Sequence, residues 1–161
     1  MQTEPTHLYW DACVLLSYVN ETAGRLPVIE QVLEEARQKK VGILTSTLTV
    51  VEVAWASEEQ QQGALDDATL EKIDGLWQPG SIVTLVEFYF AIACEARNLM
   101  REGLTRGWSL RPNDAIHLAT AKEHHVKRFH TYDERLFKYA ELTGFEICEP
   151  DALQPQLPGV S

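Results

Sequence analysis

Four carboxylates, Asp11, Glu52, Asp114 and Asp133, lie 41, 62 and 19 positions apart, each at a place where an acid has work to do. Asp11 follows the aromatic stretch 7–10 and precedes the apolar stretch 12–19. Asp114 stands two residues after Pro112, in the first turn of a predicted helix, where the helix dipole favours its charge. Asp133 follows a short β-prone run, with Thr131 and Tyr132 between. Glu52 sits among Val50, Val51, Val53, Ala54 and Trp55, which predicts a carboxylate on a mostly buried helix. An acid in such a place is costly unless it meets a cation or donors. Asp11 and Asp133 could serve as plain helix caps and Asp114 as a first-turn acid, but a mid-helix Glu52 has no capping role. If the fold gathers all four, their mutual repulsion calls for a cation. Oxygen-only ligands suit Mg²⁺ or Mn²⁺ better than zinc. Such an ion activates water and stabilises charge on a phosphate, so the expected chemistry is phosphodiester hydrolysis.

The elements that must position these acids alternate between strand and helix. Strands are predicted at 7–10, 41–45, 82–86, 127–130 and 145–148 from their aromatic and β-branched content. Between them, Leu26, Ile29, Val32, Leu33 and Ala36 repeat at helical spacing, with Lys39 and Lys40 at the end where basic charge is favoured. Ser46 or Thr47 can cap a helix on which Leu48, Val51 and Trp55 share a face. The Gln-rich stretch 58–67 reads as a solvated helix end and loop, and 69–77 as a helix stopped by Pro79 and Gly80. A long helix is expected over 87–101, closed by Gly103. Pro112 opens another through His124, and 134–139 is helical with Gly144 just beyond. This alternation predicts an α/β fold: a parallel central sheet of about five strands with helices on both faces. In open sheets of this kind ligands sit beyond the carboxyl ends of the strands, where these acids fall. One domain is expected over residues 1–150, with 151–161 an irregular, Pro-containing tail.

Composition narrows the class. The chain has 161 residues, 45% of them apolar, enough for one sizeable core. No run approaches the length of a membrane span, and the start lacks the basic-then-apolar order of a signal peptide, so a cytoplasmic protein is expected. Cys13, Cys94 and Cys148 form no CxxC pair and are expected as free thiols. Net charge is −10, from 24 acids and 14 bases, which counts against a nucleic-acid partner until the distribution is considered. Residues 52–74 hold seven acids and one base, whereas 97–138 hold nine bases and five acids, so a locally basic face is possible.

Four segments carry a resemblance: Tyr9-Trp-Asp-Ala-Cys-Val-Leu-Leu, Thr45-Ser-Thr-Leu-Thr-Val-Val-Glu-Val, Pro112-Asn-Asp-Ala-Ile-His-Leu-Ala-Thr-Ala and His130-Thr-Tyr-Asp-Glu-Arg-Leu. With the order of elements they span residues 7 to about 150, and the chain resembles PIN domains, especially the VapC-type toxins of toxin–antitoxin pairs. The resemblance implies that Asp11, Glu52, Asp114 and Asp133 bind the metal and that Ser46 and Thr131 are supporting hydroxyl positions. It also implies endonucleolytic cleavage of RNA, a cognate antitoxin and commonly a homodimer. A PIN-fold protein that only binds RNA or a partner is the alternative.

His117 lies three residues after Asp114. It could reach a phosphate, although a histidine packed beside Ile116 and Leu118 is the stronger expectation. Arg111, Arg135 and Lys138 could contact RNA or could simply be solvated. Two other classes place aspartates at strand ends. A haloacid-dehalogenase phosphatase needs a second Asp two residues after the first, where Cys13 stands. A phosphoacceptor receiver wants a lysine after a late strand, whereas Lys127 precedes one.

Overall fold

The computed structural model describes residues 4–152; most of the tail expected over 151–161 lies outside them. In chain order the elements are β1 (Thr6–Trp10), α1 (Ala12–Val19), α2 (Leu26–Arg37), β2 (Val41–Ser46), α3 (Leu48–Glu52), α4 (Ser57–Gln62), α5 (Asp67–Gly75), β3 (Val83–Val86), α6 (Phe90–Thr105), α7 (Pro112–Glu123), β4 (Arg128–His130), a 3-10 helix (Glu134–Tyr139), α8 (Ala140–Thr143) and β5 (Glu146–Cys148). All strand pairs are parallel, in the order β3-β2-β1-β4-β5. The chain builds outward from β1 to β3, then crosses to the other side of β1 for β4. The carboxyl ends of β1 and β4 therefore flank the point where strand order reverses, the usual place for a ligand crevice.

Alternation along the strands divides the core between the two faces. Leu8, Trp10 and Ile43 point to one side, where α1, α2 and α5 supply Val14, Leu15, Ile29, Val32 and Ile73. Tyr9, Leu44 and Phe129 point to the other, against Ile92, Leu99, Leu118 and Tyr139 from α6, α7 and the 3-10 helix. This is the expected parallel α/β sheet with helices on both faces.

Three local expectations give way. The helix after Ser46 is a single short element ending at Glu52; within it Thr49 is buried, and Val53 and Ala56 are buried in the segment just after it. Val51 is 74% exposed and Trp55 nearly half exposed, so the apolar run around Glu52 is not a buried helix. Within residues 58–67, α4 forms because the buried Glu59 carboxylate accepts from Ala56 N at 2.9 Å and Asp66 N at 2.8 Å, folding that segment on itself. Gly103 does not close α6 but lies inside it, where a Cβ would stand 3.0 Å from Tyr139 Oη. Its missing side chain admits the Tyr139 ring, and the chain turns instead at Gly107, whose φ is +76°.

Candidate active site

Asp11 leaves β1 and caps α1 in an extended conformation, so its carboxylate is held at the sheet's carboxyl edge and only 5% exposed. Its donors are poor. Oδ1 accepts from Val14 N at 3.4 Å and from the Cys13 thiol at 2.8 Å. Burial pushes the Asp11 pKa up, and Cys13, Thr131 and His117 only partly offset it. The same burial, with Asp11 beside it, pushes the Cys13 thiol up to about 12, so it remains a neutral donor. Cys13 Sγ also stands 3.3 Å from Thr131 Oγ1 and accepts from Tyr132 N at 3.2 Å, which ties the end of β1 to the loop after β4. Thr131 Oγ1 in turn accepts from Asp133 N at 3.1 Å.

Glu52 ends α3 and is held by a histidine from α7. His117 Nε2 lies 2.5 Å from its Oε1, and His117 Nδ1 lies 2.6 Å from Tyr9 Oη. Because Tyr9 Oη accepts from Ser46 N at 3.1 Å, its own proton is free for His117 Nδ1, which leaves Nε2–H to donate to Glu52. His117 is 2% exposed and committed at both nitrogens, so it is removed from the possible RNA contacts. It is the packed histidine expected, with the added task of aiming Glu52. Ser46 Oγ accepts from Leu48 N at 3.1 Å and starts α3. Tyr9→Phe is expected to strand the buried Ser46 N–H and cost about 1–3 kcal/mol of stability in urea unfolding. An unchanged midpoint would mean that this N–H finds another partner.

Asp114 and Asp133 meet through arginines. Arg111 Nε lies 3.1 Å from Asp114 Oδ2, and its Nη2 lies 3.6 Å from Asp133 Oδ2. Arg135 grips Asp133 with both arms of its fork, at 2.9 and 2.7 Å, and its backbone N–H donates to Oδ1 at 3.1 Å. These contacts hold the Asp133 pKa below the usual carboxylate range, the Arg135 bond contributing most. Both arginines, for which the sequence leaves RNA contact or simple solvation open, are thus part of the site's electrostatics.

All four acids occupy the carboxyl edge of the sheet, but they are linked through intermediaries rather than packed together. No three His, Cys, Asp or Glu side chains among the described residues are grouped closely enough to hold an ion as placed. The donors nevertheless suit a hard divalent cation in kind: they are all oxygen, and Asp11 is a buried carboxylate short of donors. Sequence reasoning passed over Tyr9 and Cys13. Tyr9 reads as core aromatic, and its hydroxyl contacts come from chain positions far away; Cys13 carried a faint signal, two residues beyond Asp11.

A PIN domain family model matches residues 8–142, which spans β1 to α8 and encloses every acid named above. The chain belongs to the PIN domain family. Solved structures of the same fold include VapBC2 from Rickettsia felis bound to a promoter DNA fragment, 15% identical, with a TM-score of 0.62, covering 88% of this chain and 96% of that one. FitAcB from Neisseria gonorrhoeae is 15% identical with a TM-score of 0.63, covering 89% and 97%. VapC20 from Mycobacterium tuberculosis, a toxin that cleaves the sarcin–ricin loop, is 12% identical with a TM-score of 0.57, covering 79% and 90%. At these identities the likeness is one of fold. No curated protein matches this PIN domain significantly in sequence. Among its described residues no helix is long and apolar enough to cross a membrane.

Proposed function

We propose that this PIN domain is a cytoplasmic endoribonuclease dependent on Mg²⁺ or Mn²⁺, and the toxin of a type II toxin–antitoxin pair. The observation that carries the reading is Asp11, a buried carboxylate poorly supplied with donors at the strand-order reversal, with Glu52, Asp114 and Asp133 on the same sheet edge. These four would hold the ion, which when bound supplies an activated water and neutralises charge on the scissile phosphate. Asp11 is fixed by its cap and by Cys13, and Glu52 by His117. Thr131 orders the loop that carries Asp133, and Ser46 starts the helix that carries Glu52. Arg111 and Arg135, exposed beside Asp114 and Asp133, would contact the RNA backbone.

The partner reading draws on the exposed apolar side chains. Val51, Trp55, Leu65, Phe88 and Phe90 are all solvent-facing, Phe90 83% so, and Phe88 N reaches Thr47 Oγ1 at 3.4 Å beside the start of α3. Surfaces of this kind serve protein partners, here a cognate antitoxin and a second copy of the chain. The purified chain is expected to cleave RNA with Mn²⁺ or Mg²⁺, to stop on chelation and to resume when the ion is restored. Its expression is expected to arrest growth, relieved by a short upstream reading frame. A chain that binds Mn²⁺ yet never cuts RNA would favour the catalytically silent interaction module, which the apolar surface also supports.

A further inference from the structure

The two arginines at the rim do more than decorate it. Arg111, the residue before α7, spans acids from two different elements: Asp114 in the first turn of α7 and Asp133 in the loop after β4. Its Nε and Nη2 face both carboxylates from one side, as a cation shared by them would. Arg135 covers both oxygens of Asp133. Two acids that would otherwise repel each other are thereby neutralised by two guanidinium groups. The Arg111 and Arg135 side chains are 64% and 69% exposed, whereas the carboxylates they cover are each only 20% exposed. An exposed, flexible cation over half-buried anions can swing out at little cost, because surface ion pairs are weak.

We propose that Arg111 is a built-in counter-ion: it holds Asp114 and Asp133 together while no metal is bound, and a divalent ion must displace it, so that Arg111 sets the cation affinity of the site. This rests on the metal-site reading above. It accounts for the lack of any preassembled three-ligand cluster among the described residues, since a guanidinium stands where the acids of α7 and the β4 loop come together. It also gives Arg111 a second position once displaced, at the rim of a loaded site with its positive charge free for a phosphate oxygen.

The test is Mn²⁺ binding by the RNA-free chain, followed by calorimetry and by the loss of the free-ion EPR signal. Arg111→Gln is expected to bind Mn²⁺ about tenfold more tightly than wild type, the gain from removing a competing, repelling cation. Asp114→Asn is expected to lose binding. In chelator, Arg111→Gln is expected to melt below wild type, and saturating Mn²⁺ should close that gap. In the wild-type chain the Arg111 side-chain N–H resonance should shift as Mg²⁺ is added. If Arg111→Gln proves too unstable, Arg111→Lys, whose ammonium lacks the fork that spans both acids, is expected to show the same tightening to a smaller degree. Equal or weaker Mn²⁺ binding by the Arg111 variants, with Asp114→Asn still defective, would overturn the counter-ion role and leave the metal site standing. An absence of Mn²⁺ binding in wild type and variants alike would overturn both.

Discussion

Asp11→Asn is expected to reduce RNA cleavage by about a thousandfold or more, while the variant melts at or above the wild-type temperature in chelator. The two halves of this result come from one fact. Asp11 is buried, and its partners are a 3.4 Å backbone contact and a thiol, so burial raises its pKa above that of an unfolded-state carboxylate. A group raised in this way binds protons more readily folded than unfolded, so stability falls as pH rises and the carboxylate ionises. Once ionised, Asp11 is therefore a burden on the fold, one that asparagine lifts while still capping α1. Added Mn²⁺ should reverse the order, since an ion that binds only the folded wild type stabilises it by mass action. The measurements are a fluorogenic RNA assay and thermal melts with EDTA or Mn²⁺. A variant that cuts RNA as fast as wild type would remove Asp11 from the reaction. One that melts well below wild type in EDTA would make Asp11 a structural cap.

Acid should weaken the fold through a different residue. His130 is fully buried at the end of β4, where its Nδ1 accepts from Trp10 Nε1 at 3.0 Å and its Nε2 has no partner among the described residues. Burial lowers its pKa from 6.5 to about 4, with Arg128 adding to the effect and Asp151 opposing it. Between these values the unfolded chain takes up a proton that the folded chain refuses. Stability is then unaffected above about pH 6.5 and falls as pH drops through the window towards 4, by about 3 kcal/mol in all. His130→Gln, which cannot be protonated, should lose that much less between pH 7 and 4 when urea unfolding is followed at each pH. Parallel pH profiles for wild type and variant would show that His130 is not protonated differently in the two states.

The alternation of strand and helix was legible because each element carries its own periodicity: Leu26, Ile29, Val32 and Leu33 bury one helix face, as their spacing requires. The acids were legible for a related reason. A parallel sheet puts the carboxyl ends of its strands on one edge, so Asp11 and Asp133 could be assigned there from local pattern alone. The environment of Glu52 was misjudged because apolar neighbours imply burial only if something packs on them, and Val51 and Trp55 face solvent. Gly103 was misread as a helix end because sequence does not reveal that a tyrosine 36 positions later lies across it.

By itself, then, the sequence determined the α/β architecture, the family and which carboxylates reach the sheet edge, since periodicity, turn residues and strand polarity act over a few neighbouring positions. Only the tertiary structure decided who stands beside those acids. The contacts of His117 with Tyr9 and Glu52, of Cys13 with Thr131, and of Arg111 with Asp133 join residues as much as 118 positions apart, and packing rather than local propensity selects such partners.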